Sequence, residues 1–473
     1  MAIHYLAVTE ILQQFRQGSL TPVELMHAYQ QRIAKLDPKL NAFTSQFQQD
    51  ALSQAEQATV RWQQSQARPL EGLAVAIKDE TYIEGQITTN GSRLLTEAMA
   101  TSTDPVPARL LQAGAIVHGR TTTPEFSTAG VTWSELWGVS RNPWNPAISC
   151  GGSSGGSAIA VATGMCSFAN GTDIGGSVRI PAAFCGLYGY KPPHGRVPEI
   201  SPYNIDPYCH HSLLTRTLDD LLLLYPFIKG PDWMDSHSFV PDDNPELKPR
   251  KALKQLKVAL APTLGFYQVA ADIRRQLDLT ADALRAQGVQ VDVVEPAWDE
   301  RVIETAKIHQ RALMGMTLKQ KFGAPAARKQ LTSYVQHYLE MVDQLTVDAI
   351  FQANLHSCAM WDALAVIFKD YDLLLCPTLA TSEVPAGFDY SKDRMQINGI
   401  EVDANKGWFM TYPFNTLGQC PVLAMPNGFC DNGVPSSVQI VGRPYQEADV
   451  FQLARALSDT VAKDFYATKF PEL

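Results

Sequence analysis

The sequence lacks any long apolar run: no segment approaches the ~18 uninterrupted apolar residues of a membrane span, so none is expected. Residues 1–12 carry no basic stretch leading into an apolar one, and no secretory leader is expected either. Charge is scarce, at 18% of residues against 45% hydrophobic, which points to a large buried core. No Lys/Arg run is present, and the formal net charge of −9 argues against nucleic acid as a partner. The 8 cysteines show no C-x-x-C spacing. Scattered thiols without a leader read as reduced and mostly buried, and the expected compartment is the cytoplasm. No internal repeat and no composition break divides the 473 residues, although that length is usual for about three domains.

What the chain has instead is glycine and serine concentrated in one region. Ser149-Cys150-Gly151-Gly152-Ser153-Ser154-Gly155-Gly156-Ser157 is followed by Gly171-Thr172-Asp173-Ile174-Gly175-Gly176-Ser177. A flexible Gly/Ser linker has polar, featureless flanks, whereas 158–164 and 165–169 are small and apolar. Glycines inside a core-forming region mark backbone that bends sharply or approaches something closely. Successive N–H groups in such turns form a concavity for an anion or a developing oxyanion.

Around these loops the chain reads as α/β. Thr21-Pro22-Val23-Glu24 is a capping box with proline at the first helical position. Leu25, Tyr29 and Ile33 follow on one face, and Pro38 is expected to end the helix. A second helix is expected over about 48–66, and this helical segment, about 1–66, serves packing or a homodimer contact. Residues 73–77 read as a buried strand that runs into Lys78-Asp79; a helix over 105–113 closes on Gly114 before a strand at 115–118. Strand–helix–strand order with apolar strands means α/β layering. Residues 186–190 read as another strand. Strand 257–261, helix 271–287 and strand 289–294 repeat the pattern, helices fill about 301–321 and 328–370, and 371–376 is a strand. Segments 421–425 and 436–441 flank Asp431-Asn432-Gly433, a hairpin signal, before a helix at 448–461.

A lysine at the end of an apolar strand is unusual, because burying an ammonium is costly unless it is paired or loses its proton. One reading of Lys78 is an ion pair with Asp79 or Glu80, of which Asp79 points to the opposite face of the strand. The other is a general base with a lowered pKa, which a serine nucleophile requires. Two serines compete. Gly151-x-Ser153-x-Gly155 matches the G-x-S-x-G elbow of α/β-hydrolases, but that elbow follows a strand directly. Arg141-Asn142-Pro143-Trp144-Asn145-Pro146 holds two prolines there, against a central strand. Ser177 follows Ile174-Gly175-Gly176, whose N–H groups are placed to converge on a carbonyl oxygen beside its hydroxyl.

These motifs carry a family resemblance. Residues 72–79, Thr88-Thr89-x-Gly91-Ser92, Arg141-Asn142-Pro143-Trp144 and both glycine loops through Lys191-Pro192 occur in order. So do Cys376-Pro377-Thr378, Asn415-Thr416-Leu417-Gly418 and the stretch from Pro421 through Gly442-Arg443-Pro444 to Glu447. Over about 72–220 and 371–457 the chain resembles the amidase signature family. The resemblance implies one domain over 1–473, a single large mixed β-sheet covered by helices on both faces. It also implies a Ser–cis-Ser–Lys triad: Ser177 attacks an amide carbonyl and forms an acyl-enzyme, and Ser153, after a cis peptide, relays its proton to neutral Lys78. Ile174, Gly175, Gly176 and Ser177 would supply the oxyanion hole. Ser154, Thr172, Asp173 and Arg179 would support it, with Asp173 paired to Arg179. No cofactor and no metal is expected.

The chain departs from the family pattern at Cys150, where proline is usual, at Ala74 and Glu80, where proline and asparagine are commoner, and across 203–213. His210-His211 read as loop or pocket-rim residues rather than metal ligands, since no third ligand is spaced nearby. Trp133, Trp137 and Trp144 read as core packing or as a stacking surface for an aromatic substrate, and Cys185 as a small buried residue. The expected function is hydrolysis of a small-molecule carboxamide. The alternatives are the glutamine-hydrolysing subunit of an amidotransferase, which needs a partner chain, and a non-catalytic binding relative. Counting back from Asn415, the position where such glutaminases often carry an acid falls at Trp408, among Phe409, Met410, Tyr412 and Phe414. A second wall offers Phe126, Ser127 and Thr128 without charge. An apolar or aromatic acyl group is therefore expected rather than a zwitterion, whose charged ends such a pocket would leave unpaired.

Overall fold

Strand pairing runs through the whole computed structural model, which describes residues 2–239 and 250–471. The strands of its main sheet are β1 (Phe43–Gln46), β2 (Ala74–Lys78), β3 (Ile116–Thr121), β4 (Phe168–Thr172), β5 (Tyr188–Lys191), β6 (His211–Thr215), β7 (Lys257–Leu260), β8 (Gln290–Val293), β9 (Leu373–Pro377), β10 (Val422–Phe429) and β11 (Pro435–Gly442). Their spatial order is β1-β3-β2-β4-β6-β5-β10-β11-β9-β7-β8. β2 is parallel to both β3 and β4, and β9, β7 and β8 are parallel at the other end. The pairs from β4 through β6, β5, β10 and β11 to β9 are antiparallel. The sheet is thus the large mixed one.

Side chains alternate along a strand, and both faces are covered. Val75 and Ile77 enter one hydrophobic cluster and Ala76 another; Leu373 and Leu375 face the first, Leu374 and Cys376 a third. Double burial explains why these strands read as unbroken apolar runs. The first cluster takes Ile11, Leu25, Tyr29 and Ala55 from the N-terminal helices together with Val450 and Leu453 near the other end.

The capping box forms: the Thr21 hydroxyl accepts from Glu24 N at 3.2 Å while Glu24 Oε2 accepts from Thr21 N at 2.8 Å. Pro38 does not end this helix, which spans Pro22–Leu40. Proline in the last turn removes one hydrogen bond, and the chain turns out only at Asn41, in the left-handed region at φ 57°. The second helix stops at Gln63. The span expected as one long helix over 328–370 is cut into Pro325–Arg328, Ser333–Asp343 and Val347–Asp370, the last capped by Thr346. Between Arg301–Gln310 and Met316–Phe322 lies a π-helical turn, Arg311–Gly315, of the kind often found at functional sites. The hairpin forms between β10 and β11, with Gly433 at φ 81°.

Candidate active site

Two parallel neighbours, β2 and β4, end side by side and deliver their last residues, Lys78 and Thr172, to the same edge. Crevices outside the carboxyl ends of strands are where ligands bind in α/β sheets. Lys78 is fully buried. Its Nζ donates to Ser153 Oγ at 2.7 Å and to Thr172 Oγ1 at 2.8 Å, and lies 3.1 Å from Glu80 Oε1. Burial moves the Lys78 pKa below its ordinary value, while Glu80 and more weakly Asp173 and Cys209 oppose the shift. Lys78 is thus paired, and desolvation still outweighs the pair. Asp79 turns away and takes hydrogen bonds from Thr89 N and Oγ1.

Ser153 sits just before the helix Gly155–Ala162, after a cis Gly152–Ser153 peptide. Gly152 has no room for a side chain: a Cβ there would lie 2.6 Å from Val131 O. Ser154 N donates to Ser177 O at 3.2 Å, which ties the two glycine loops together. The Ser154 hydroxyl is buried without a partner among the described residues.

The loop carrying Ser177 is held from beneath. Asp173 and Arg179, both fully buried, form a two-pronged pair, Nε to Oδ2 at 3.0 Å and Nη2 to Oδ1 at 2.9 Å. Burial favours the neutral acid, but Arg179 and then Asn415 overcome it and hold the Asp173 carboxyl far below the ordinary carboxylate range. Arg179 Nη1 also reaches Thr411 O and Gln439 Oε1, at 3.0 and 2.9 Å, and Nη2 reaches Asn415 Oδ1 at 2.6 Å. Thr411 Oγ1 donates to Gly175 O at 2.6 Å. One candidate N–H is already committed: Gly176 N donates to Asp173 Oδ1 at 2.8 Å. The N–H groups of Ile174, Gly175 and Ser177 have no partner among the described residues, so three of the four expected donors are free and Gly176 is not.

Two adjoining cavities open at this loop. The smaller, about 30 Å³, is bounded by Ser177, Ile174, Gly175, Thr128, Lys406 and Phe409. The larger, about 310 Å³, has Phe126, Tyr203, Leu318 and Phe322 as apolar walls, with Glu80, Thr172 and His211 among its polar ones. Ser127, Ile174 and Met314 border both. Phe126 and Ser127 have φ of 52° and 57°, an arrangement costing roughly 1–2 kcal/mol per residue outside glycine. It turns the Ser127 hydroxyl onto Glu80, while Phe126 stacks on Phe322 at 4.8 Å.

Trp408 lines neither cavity. Its indole is 1% exposed, donates to Ala404 O and packs on Phe409 and Phe184. The wall position belongs to Phe409, one residue on. Nor is the pocket free of charge: Lys406 lines the smaller cavity together with the uncharged Ser127 and Thr128, its Nζ donating to Gln310 Oε1 at 2.8 Å, and burial with the nearby Lys307 brings its pKa down to about 7. His210 and His211 face opposite ways. The first bridges Tyr208 O and Asp173 O, the second meets Thr81 and Glu199, and no metal-holding group of three His, Cys, Asp or Glu occurs among the described residues. Trp133, Trp137 and Trp144 anchor loops through their indole N–H to Phe388 O, Thr89 Oγ1 and Cys185 O. Sequence reasoning assigned no role to Thr411, Gln439 or Gln310. A glutamine inside the apolar run Val438-Gln439-Ile440-Val441 was a signal for the second of them, since a buried polar side chain must have partners.

A mixed sheet with a buried lysine–serine contact at its carboxyl edge, beside a glycine-rich loop with N–H groups free among the described residues, has the makings of a hydrolytic site. Comparison with known proteins gives the family. The family model described as Amidase matches residues 24–451. An acylamidase from Rhodococcus erythropolis is 31% identical over 462 residues, covering 96% of this chain and 94% of that one. A glutamyl-tRNA(Gln) amidotransferase subunit from Thermosynechococcus vestitus is 30% identical over 483 residues, covering 96% and 97%. The crystal structure of a bacterial aryl acylamidase of the amidase signature family superposes with a TM-score of 0.90 at 28% identity, covering 98% of each chain. The chain belongs to the amidase signature family and is an amidase, a hydrolase of carbon–nitrogen bonds.

Proposed function

We propose that the chain hydrolyses a small-molecule amide through Ser177, Ser153 and Lys78, with the apolar or aromatic part of the substrate in the larger cavity. The observation that carries this is the buried Lys78 Nζ at 2.7 Å from Ser153 Oγ, on the loop that is bonded to Ser177. In acylation the Ser177 oxygen forms a bond to the amide carbon. Its proton passes to Ser153, and the Ser153 proton passes to neutral Lys78, which becomes an ammonium. The carbonyl oxygen becomes an oxyanion under the N–H groups of Ile174, Gly175 and Ser177. When it collapses, the C–N bond breaks and the leaving amine takes a proton back through Ser153. Water then releases the acid by the same relay. Asp173, Arg179 and Thr172 support the loop and the lysine.

Aromatic and aliphatic walls favour a ring or alkyl chain by burial, and the likeness to an acylamidase and an aryl acylamidase supports the same choice. The likeness to an amidotransferase subunit supports glutamine hydrolysis as the second reading. No helix among the described residues is long and apolar enough to cross a membrane. We place the enzyme in the cytoplasm, a reading supported by its free cysteines. A fluorophosphonate probe should label the peptide containing Ser177, and the purified chain should turn over arylamides or aliphatic amides ahead of glutamine. Labelling at Ser153, or turnover of glutamine alone, would overturn the respective halves of the proposal.

A further inference from the structure

Glu80 stands where the family pattern more often has asparagine, and the fold places it at the base. Its carboxylate accepts from Ser127 Oγ and Thr172 Oγ1 and lies 3.1 Å from Lys78 Nζ. Its side chain is 15% exposed, at the border of the larger cavity. The directions of these bonds fit together. Thr172 gives its proton to Glu80, so its oxygen is free to accept from Lys78 at 2.8 Å.

A lysine ammonium has three N–H donors, and Lys78 gives hydrogen bonds to Ser153 and Thr172 with Glu80 Oε1 3.1 Å away as its ion-pair partner. A neutral amine keeps two N–H groups and gains one lone pair. Catalysis requires that lone pair to face the Ser153 hydroxyl, which holds when the remaining N–H groups point at Thr172 and Glu80. An asparagine oxygen would orient the amine in the same way but would carry no charge. An opposite charge at this range favours the ammonium by about one to three pH units.

The other groups facing Lys78 do not substitute for that charge. Asp173, from the loop after β4, is neutralised by Arg179. The Cys209 thiol, from the segment before β6, is driven well above its ordinary pKa by burial, so it is uncharged. Arg120, from β3, donates to the Lys78 backbone oxygen at 3.2 Å, and His211, from β6, lies beyond Thr81. Asp79 is turned to Thr89.

We propose that Glu80 is a positioning residue of the hydrolysis: with Thr172 it aims the Lys78 lone pair at Ser153, and its charge sets the pH at which that lone pair becomes available. This rests on the Ser177–Ser153–Lys78 reading. The test is the rate of Ser177 labelling by a fluorophosphonate, and kcat/KM for an amide, measured against pH in the native chain, Glu80→Gln, Glu80→Asn and Glu80→Asp. Removing the negative charge makes Lys78 neutral at lower pH. The acidic limb of the Gln and Asn variants should therefore move down by about one to three units, while the Asp variant keeps the limb near that of the native chain. A purely structural role would reduce rates at every pH and leave the limb in place, and that result overturns the inference. So does the absence of labelling at any pH in both Gln and Asn variants whose near-UV circular dichroism is native. If the native chain is not labelled at Ser177, the triad reading falls and this inference falls with it, an outcome distinct from an unmoved limb.

Discussion

A base that must be neutral to act imposes a pH dependence at the scale of one residue. Burial lowers the Lys78 pKa while Glu80 opposes the shift, so the active fraction grows as pH rises through the folded value. kcat/KM should climb from neutral to mildly alkaline pH, checked with a substrate whose own ionisation lies outside that range. Lys78→Ala should abolish turnover in a folded chain, and Lys78→Arg should not restore it, because a guanidinium does not give up its proton. Appreciable turnover by either variant would rule out the base assignment. The lysine itself was legible in the sequence, as a charge ending an apolar strand. Its partner was legible only in part: alternation along the strand set Asp79 aside, but whether Glu80 folds back onto Lys78 depends on the turn after β2. Trp408 shows the same limit. Aromatic density marked the segment, but Phe409 reaches the cavity and Trp408 packs behind it, a one-residue difference that no spacing rule resolves.

At the scale of elements, the two glycine loops were legible because glycine is tolerated there for reasons the structure makes concrete. Gly176 has φ 121°, and a Cβ on it would lie 1.9 Å from Thr411 Oγ1, the hydroxyl that holds Gly175 O. Gly176→Ala should therefore tilt the donor loop and cut kcat/KM by about 100-fold or more, the order expected for a lost oxyanion donor. Thr411→Ala in the same chain should recover little, since the backbone strain at a positive φ remains. Near-native kinetics of Gly176→Ala would show that the loop is not the oxyanion site. The helix boundaries were less legible. Pro38 is tolerated inside its helix, and the π-helical turn at Arg311–Gly315 brings Met314 to both cavities, an interruption that the expected helix over about 301–321 did not include.

For the whole molecule, length suggests about three domains, whereas continuity suggests one. The sheet runs from β1 to β8 without a break, and one hydrophobic cluster holds Val8 and Leu25 together with Leu453 and Leu457, so neither end has a core of its own. Continuity was legible in the sequence as the missing composition break, and was also what the family resemblance implied. The order of strands, which carries β10 and β11 between β5 and β9, could not come from local pattern, because those pairings join residues far apart in sequence. We read the chain as a single folding unit and expect one calorimetric endotherm. Arg179 provides the sharper form of this test, since its side chain ties Asp173 after β4 to Gln439 on β11 and to Asn415 between them. Arg179→Met leaves Asp173 buried without its cation. The ion pair depresses the Asp173 pKa, so its contribution is present above the unfolded carboxylate value of ~3.9 and fades as pH falls below it. At neutral pH the variant should lose about 3–5 kcal/mol, the usual cost of breaking a buried pair. If the chain is one unit, that loss lowers the midpoint of a single transition. Two separated endotherms, with only one displaced by Arg179→Met, would show that the two halves of the sheet unfold independently.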